Sequence, residues 1–116
     1  MARSVFWHDG VVNEVRIYGP SRRRLGSVEL RLSLYPTDQS PRRINRVLVC
    51  SRVTNVEVIG DMVELQDNAG AGNIEDGEIK RSKGKTELTL RLLGGRLQVT
   101  AARIGFKREE SEGGKG

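Results

Sequence analysis

The stretch Ser27-Val-Glu-Leu-Arg-Leu-Ser-Leu-Tyr35 sets Val28, Leu30, Leu32 and Leu34 against Glu29, Arg31 and Ser33, a strict period of two. Successive side chains of a strand point to opposite faces, so the four apolar residues share one face of a half-buried strand. Thr86 to Leu93 repeats the pattern, with Leu88, Leu90 and Leu92 against Glu87, Thr89 and Arg91. Arg96 to Phe106 continues it through Leu97, Val99 and Ala101. Arg103 falls out of phase, which implies that the inward face ends, or a bulge intervenes, before Ile104 and Phe106. Between these two runs, Gly94-Gly95 has the positive-φ freedom of a primed hairpin turn.

Working outward, Val11 to Tyr18 reads as a further strand closed by Gly19-Pro20. Ile44 to Cys50 and Val53 to Ile59 are β-branched runs that form either two strands or one long bent one, and Ile74 with Ile79 leads a weaker strand over Glu78 to Arg81. Asp61 to Asn68 is different. Asp61 suits an N-cap, Glu64 follows at capping-box spacing, and Met62 and Leu65 share a face, so one short helix is expected, ended by Gly70 and Gly72. No internal repeat is expected beyond generic sheet patterning. The sum is an all-β fold, an antiparallel β-sandwich or partly open barrel of six or seven strands with one short helix. Residues 1–106 form a single β domain. The polar run 107–116 lacks an apolar anchor and reads as a disordered tail.

At 116 residues, with 36% hydrophobic and 30% charged side chains, the chain carries one core. No run approaches the roughly 20 apolar residues of a membrane helix, and His8 and Asp9 interrupt the place where a secretion signal needs an apolar stretch, so a cytoplasmic address is expected. One cysteine, Cys50, forms no internal disulfide, and with one histidine it does not supply the usual four zinc ligands.

The net charge of +5 conceals strong segregation. Residues 1–52 carry ten bases and four acids, residues 53–79 seven acids and no base, and residues 80–106 seven bases and one acid. The acidic island is Glu57, Asp61, Glu64, Asp67, Glu75, Asp76 and Glu78. Its plainest reading is neutralisation by the basic segments folded beside it; its functional reading is electrostatic docking. Basic clusters lie at expected strand ends: Arg22, Arg23 and Arg24, then Arg42, Arg43 and Arg46, then Lys80, Arg81, Lys83 and Lys85. If they converge they form a phosphate site. Few aromatic side chains are available to stack bases.

Chemistry-bearing motifs are sparse. His8-Asp9 suits a base with its orienting carboxylate, but adjacent residues on an extended chain diverge unless Gly10 turns the backbone. Cys50 sits in a β-branched run, the place of an inert core thiol. No G-x-S-x-G elbow and no phosphate-binding glycine motif is present. The Asp67 to Asp76 loop offers oxygen ligands but not the EF-hand order, and its glycines suit plain turns. No catalytic residue, metal site or cofactor is therefore expected.

Trp7-His8-Asp9-Gly10 ahead of a first strand, the alternating second strand, the short helix and then Gly72-Asn73-Ile74 leading into a hairpin resemble small, mostly uncharacterised bacterial all-β families, some counted among toxin-immunity proteins. The resemblance implies a non-enzymatic binding domain over residues 7–106. Together with the charge layout it predicts a protein-binding domain, immunity-like in kind, with Asp67, Glu75 and Asp76 or Arg22, Arg23, Arg24, Arg42 and Arg43 at the contact. Phosphate or nucleic-acid binding through the basic strand-end loops is the alternative.

Overall fold

The structure is a computed structural model and describes residues 5–107. Its strands are β1 (Val11–Tyr18), β2 (Gly26–Leu34), β3 (Ile44–Gly60), β4 (Ile74–Ser82), β5 (Lys85–Leu92) and β6 (Gly95–Phe106), with helix α1 (Met62–Asp67) between β3 and β4. All neighbouring strands are antiparallel, in the order β1-β2-β3-β6-β5-β4. The expected all-β fold with one short helix is present, and the sheet is not closed into a barrel. The tail expectation falls almost wholly outside the described residues.

The two β-branched runs after Ile44 form one strand of 17 residues. It pairs with β6 from Leu48↔Phe106 to Gly60↔Gly95, whereas β2 follows it only as far as Val53 and β5 follows β6 only as far as Ala101. Each long strand therefore serves two layers, one built with β1 and β2 and the other with β4 and β5. The crossing point is marked by Arg52, in the left-handed region at φ 56, and by a register shift between Val53 and Asn55. On β6 the buried phase changes between Ala101 and Ile104, as the position of Arg103 implies.

The pairing repeats, although no sequence repeat announces it. Val12, Val15 and Ile17 of β1 face Leu32, Leu30 and Val28, with a bulge after Val12. Ile74, Gly77 and Ile79 of β4 face Leu92, Leu90 and Leu88, with a bulge after Ile74. Leu30 then pairs with Leu48 as Leu90 pairs with Leu97, and the pair Leu48↔Phe106 corresponds to Leu97↔Val58. The halves are related by an approximate two-fold through the β3–β6 ladder. Register repeats and residue identity does not, which is why the sequence conceals it.

Leu30, Leu32, Leu88, Leu90 and Leu97 are all buried, with Val28, Leu48, Cys50, Ile74, Val99 and Ile104 around them. The β5–β6 turn sits one residue earlier than its glycine pair suggests. Leu92 pairs with Gly95, so Leu93 and Gly94 form the loop and only Gly94, at φ 107, needs left-handed freedom. Gly95 is a strand residue with no room for a Cβ, which would run into the Ile59 carbonyl oxygen.

The starts of β1 and β4 are stapled together. Asp9 N–H donates to the Ile74 carbonyl at 3.0 Å and Ile74 N–H to the Gly10 carbonyl at 2.9 Å. Asn73, nearly fully buried, accepts the Val12 N–H on Oδ1 at 3.1 Å, donates to the Leu65 carbonyl from Nδ2 at 3.2 Å, and takes Leu93 N–H on its own carbonyl at 2.8 Å. One side chain and its backbone thus join β1, α1 and the β5–β6 turn.

Truncating any of Leu30, Leu32, Leu88, Leu90 or Leu97 to Ala should cost about 2–5 kcal/mol, against about 0.5 kcal/mol for Arg91→Ala on the outer face. Thermal melts that rank Arg91→Ala with the leucine variants would contradict this placement of the core.

Candidate functional site

The topology separates the charge into two ends. At one end lie α1, the β5–β6 turn, the β2–β3 loop and the starts of β1 and β4; Asp61 N–H donates to the Gly94 carbonyl at 2.7 Å and Arg43 reaches the carbonyls of Asp9 and Gly70 at 3.0 Å each. This end holds Asp61, Glu64, Asp67, Glu75 and Asp76, with Arg42 and Arg43 of the β2–β3 loop beside them. Internal neutralisation is partial. Arg91 Nε meets Asp76 Oδ1 at 2.7 Å and Arg96 Nη2 meets Glu57 Oε1 at 3.2 Å, both pairs about half exposed and worth little in stability. Among the described residues, no cationic group lies within 4.0 Å of the carboxylates of Asp61, Glu64, Asp67 or Glu75.

The basic clusters do not all converge. Arg22, Arg23 and Arg24 occupy the β1–β2 loop, and Arg42 and Arg43 the β2–β3 loop, at the opposite end of a nine-residue strand roughly 27 Å long. Arg43 is spent on the two carbonyls and on the Tyr35 ring, 5.1 Å below its guanidinium, so it fastens the β2–β3 loop to the turns before β1 and β4. What does line up is a row across the sheet, Gly26–Val53–Ala101–Thr86, at the crossing point. The β1–β2 loop with Arg22, Arg23 and Arg24 flanks one end of this row and the β4–β5 turn with Lys83 and Lys85 the other, with exposed Arg52 and Arg103 between them. Sequence reasoning missed Arg52 and Arg103 because they stand singly in strands rather than in a cluster.

Of the candidate catalytic residues, His8 and Asp9 are brought together and Cys50 lies apart from them. Asp9 adopts φ 67 and Gly10 N–H closes the turn onto the Trp7 carbonyl, so the turn sits at Asp9 and lets His8 Nε2 approach Asp9 Oδ1 at 3.5 Å. His8 Nδ1 donates to the Glu75 carbonyl at 3.0 Å, and that contact, followed by Asp9, raises its pKa above 6.5. Both side chains are exposed. Cys50 instead lies in the core, cross-strand from Val28 and Ile104, and burial pushes its thiol up to about 11. The Asp67 to Asp76 loop spends its amides on structure, Asn68 Nδ2 on the Glu64 carbonyl and Asn73 as above. Among the described residues no group of three or more His, Cys, Asp or Glu side chains is placed to hold a metal, and no helix is long and apolar enough to cross a membrane.

One concavity was not foreseen. A groove of about 790 Å³ opens between β1 and the C-terminal half of β3, lined by Val11, Val12, Val15, Val58, Leu65, Ala69, Leu92 and Leu97 among others. Next to it, where β3 passes into α1, Val58, Ile59, Met62 and Val63 are 50–75% exposed. Helix α1 buries no residue completely; Asp61 caps it by accepting N–H bonds from Val63 and Glu64 at 3.1 Å each. The signal for this patch was in the sequence, in the apolar residues flanking Gly60-Asp61, but a strand and a helix of ordinary amphipathicity would have turned them inward.

No family model matches the chain, and no curated protein and no solved structure matches it.

The position of Cys50 makes its reactivity a test of the core. With the thiol protonated near neutral pH and out of solvent, alkylation should be slow in the folded state and rapid only after unfolding. Fast labelling at pH 7 without denaturant would contradict its burial.

Proposed function

We propose that the chain is a non-enzymatic protein-binding domain that meets its partner at the β3–α1 corner. The observation that carries this reading is the exposure of four large apolar residues, Val58, Ile59, Met62 and Val63, close together in the chain where β3 passes into α1, in a chain otherwise rich in charge. An apolar centre within a charged rim is the anatomy of a protein interface. Asp61, Glu64 and Asp67 supply the rim, which favours a partner with a basic surface and speeds encounter more than it adds affinity. Glu75 and Asp76 lie at the same end on β4 and extend the field; Asp76, already paired with Arg91, contributes less than Asp67. An immunity-like role, capture of a basic enzyme by an acidic face, is one form of this activity.

The test is quantitative capture by the immobilised chain of a partner identified by crosslinking. Met62→Asp/Val63→Asp changes two exposed side chains, so the fold should persist while affinity falls at least tenfold, as for loss of an interface centre. Asp67→Lys should slow association and flatten its salt dependence. Undiminished capture by the folded double variant would place the interface elsewhere.

A second reading, phosphate or nucleic-acid binding, is supported by the basic row at the crossing point: Arg22, Arg23, Arg24, Arg52, Arg103, Lys83 and Lys85. Arg42 and Arg43 take no part in it. Labelled duplex DNA or RNA should then bind with a log-log salt slope of about −0.9 per neutralised phosphate, reduced by about one such step in Arg52→Ala. Absence of binding at low salt would discard this reading.

A further inference from the structure

We infer that the groove between β1 and the C-terminal half of β3 is a socket for one bulky aromatic side chain carried on an extended, basic segment of the partner. The inference deepens the protein-binding reading and rests on it. Its starting point is the way the two-fold relation of the halves is broken. In one half the mouth between β4 and the end of β6 is plugged by Trp7. This side chain is 7% exposed and arrives on the segment that leads into β1. Its ring lies over Gly77, where a Cβ would meet Trp7 Cγ and Cδ2 at 2.8 Å, and its centroid is 6.3 Å from that of Phe106.

The register gives the strand positions their counterparts. Val12 corresponds to Ile74, and in the segments that lead into them, outside the ladders, Trp7 lies five residues before the one and Ala69 five before the other. Gly77 corresponds to Val15, and Phe106 to Val58. Ala69, Val15 and Val58 all line the groove. The indole that fills one mouth is a methyl group in the other, and a phenyl ring beside it is an isopropyl group; Val15 takes back only part of the space. The groove is the same mouth without its plug.

The chemistry of the occupant follows from what borders the opening. The floor is apolar, with Leu97 and Val11 buried, and so favours an aromatic or large aliphatic anchor. The one acid in the lining, Glu14, is held by Arg16 at 2.7 Å and Arg31 at 3.3 Å; Glu64 and Asp67 stand on α1 next to the lining residues Leu65 and Gln66 without a cation within 4.0 Å among the described residues, so the field at this end favours positive charge beside the anchor. β1 has a strand neighbour on one side only, and β3 has none beyond Val53 on its β2 side, so an extended segment finds an open strand edge at the opening. Neither the run 108–116 nor the Trp7 of a second copy offers such a plug. Residues 108–116 contain no apolar side chain, and the Trp7 of a second copy is committed to its own Gly77.

The probe is a labelled heptapeptide, Lys-Lys-Val-Phe-Trp-Lys-Lys, whose centre copies the segment that plugs the other mouth, followed by fluorescence anisotropy. It should bind saturably and at least tenfold more tightly than the same peptide with Ala in place of Trp. Ala69→Trp, with Val15→Gly added to reproduce the Gly77 arrangement, should fill the socket and abolish binding while the sheet spectrum is kept. Val58→Phe narrows the same space from an exposed position and serves if the first variant does not fold. No binding at about 1 mM peptide, equal binding of the Ala peptide, or undiminished binding by either folded, filled variant would overturn the socket. Partner capture separates the two proposals: lost in Met62→Asp/Val63→Asp but kept in the filled variants, it leaves the protein-binding reading standing and removes the socket.

Discussion

The antiparallel ladder between β3 and β6 is the constraint from which the rest of the structure follows. It joins residues 48–60 to residues 95–106, and no other strand spans both layers. Twist accumulates along so long a pair. Its two ends therefore present their apolar sides in different directions, and a single flat sheet would leave one set of side chains in water. The break at Arg52 and Thr54 lets Cys50 and Leu48 face one layer while Val56 and Val58 face the other. Because the pairing is remote in sequence, it carries a larger loop-closure entropy than the β5–β6 hairpin, which marks the fold as one of high contact order.

The same ladder explains where charge and apolar surface end up. Strands β2 and β5 each stop at the crossing point, so their connecting loops to β1 and β4 collect there, and both happen to be basic. The connections at the far ends carry α1 and the acidic segment. A chain of modest net charge thus gathers most of its acidic groups at one end and basic loops at the crossing point. Arg91 and Arg96 soften the acidic end without cancelling it, since exposed pairs of this kind leave most of each charge's field in place.

Much of the fold was legible because the sheet's period of two is written without interruption in Leu30, Leu32, Leu34 and again in Leu88, Leu90, Leu92. The N-cap at Asp61 was equally plain, since its geometry is local. What escaped depended on partners remote in sequence. Gly95 reads as a turn glycine until Ile59 is known to lie against it. Arg43 reads as part of a basic cluster until its two carbonyl acceptors are known. Asn73 stands in a polar loop, and nothing nearby announces that Val12 and Leu65 converge on it. The repeated register was hidden for a related reason: Trp7 against Ala69 and Gly77 against Val15 have no chemical likeness, only the same place in the ladders or in the segments that lead into them.

The asymmetry between the two mouths also bears on how an open sheet avoids pairing with copies of itself. Edge strands are usually protected by charge, by bulges or by cover. β4 has all three: Trp7 lies over Gly77, a bulge follows Ile74, and Lys80 and Arg81 close its far end. β1 shares the bulge, but its inward residues Val15 and Ile17 remain partly or largely open, and the charges of Glu14 and Arg16 are spent on each other at 2.7 Å. A strand edge left in this state invites association unless its neighbourhood selects what approaches. In the proposed binding role the acidic helix beside it does so, repelling the equally acidic end of a second copy while favouring a basic segment, which would make the less protected edge the more selective one.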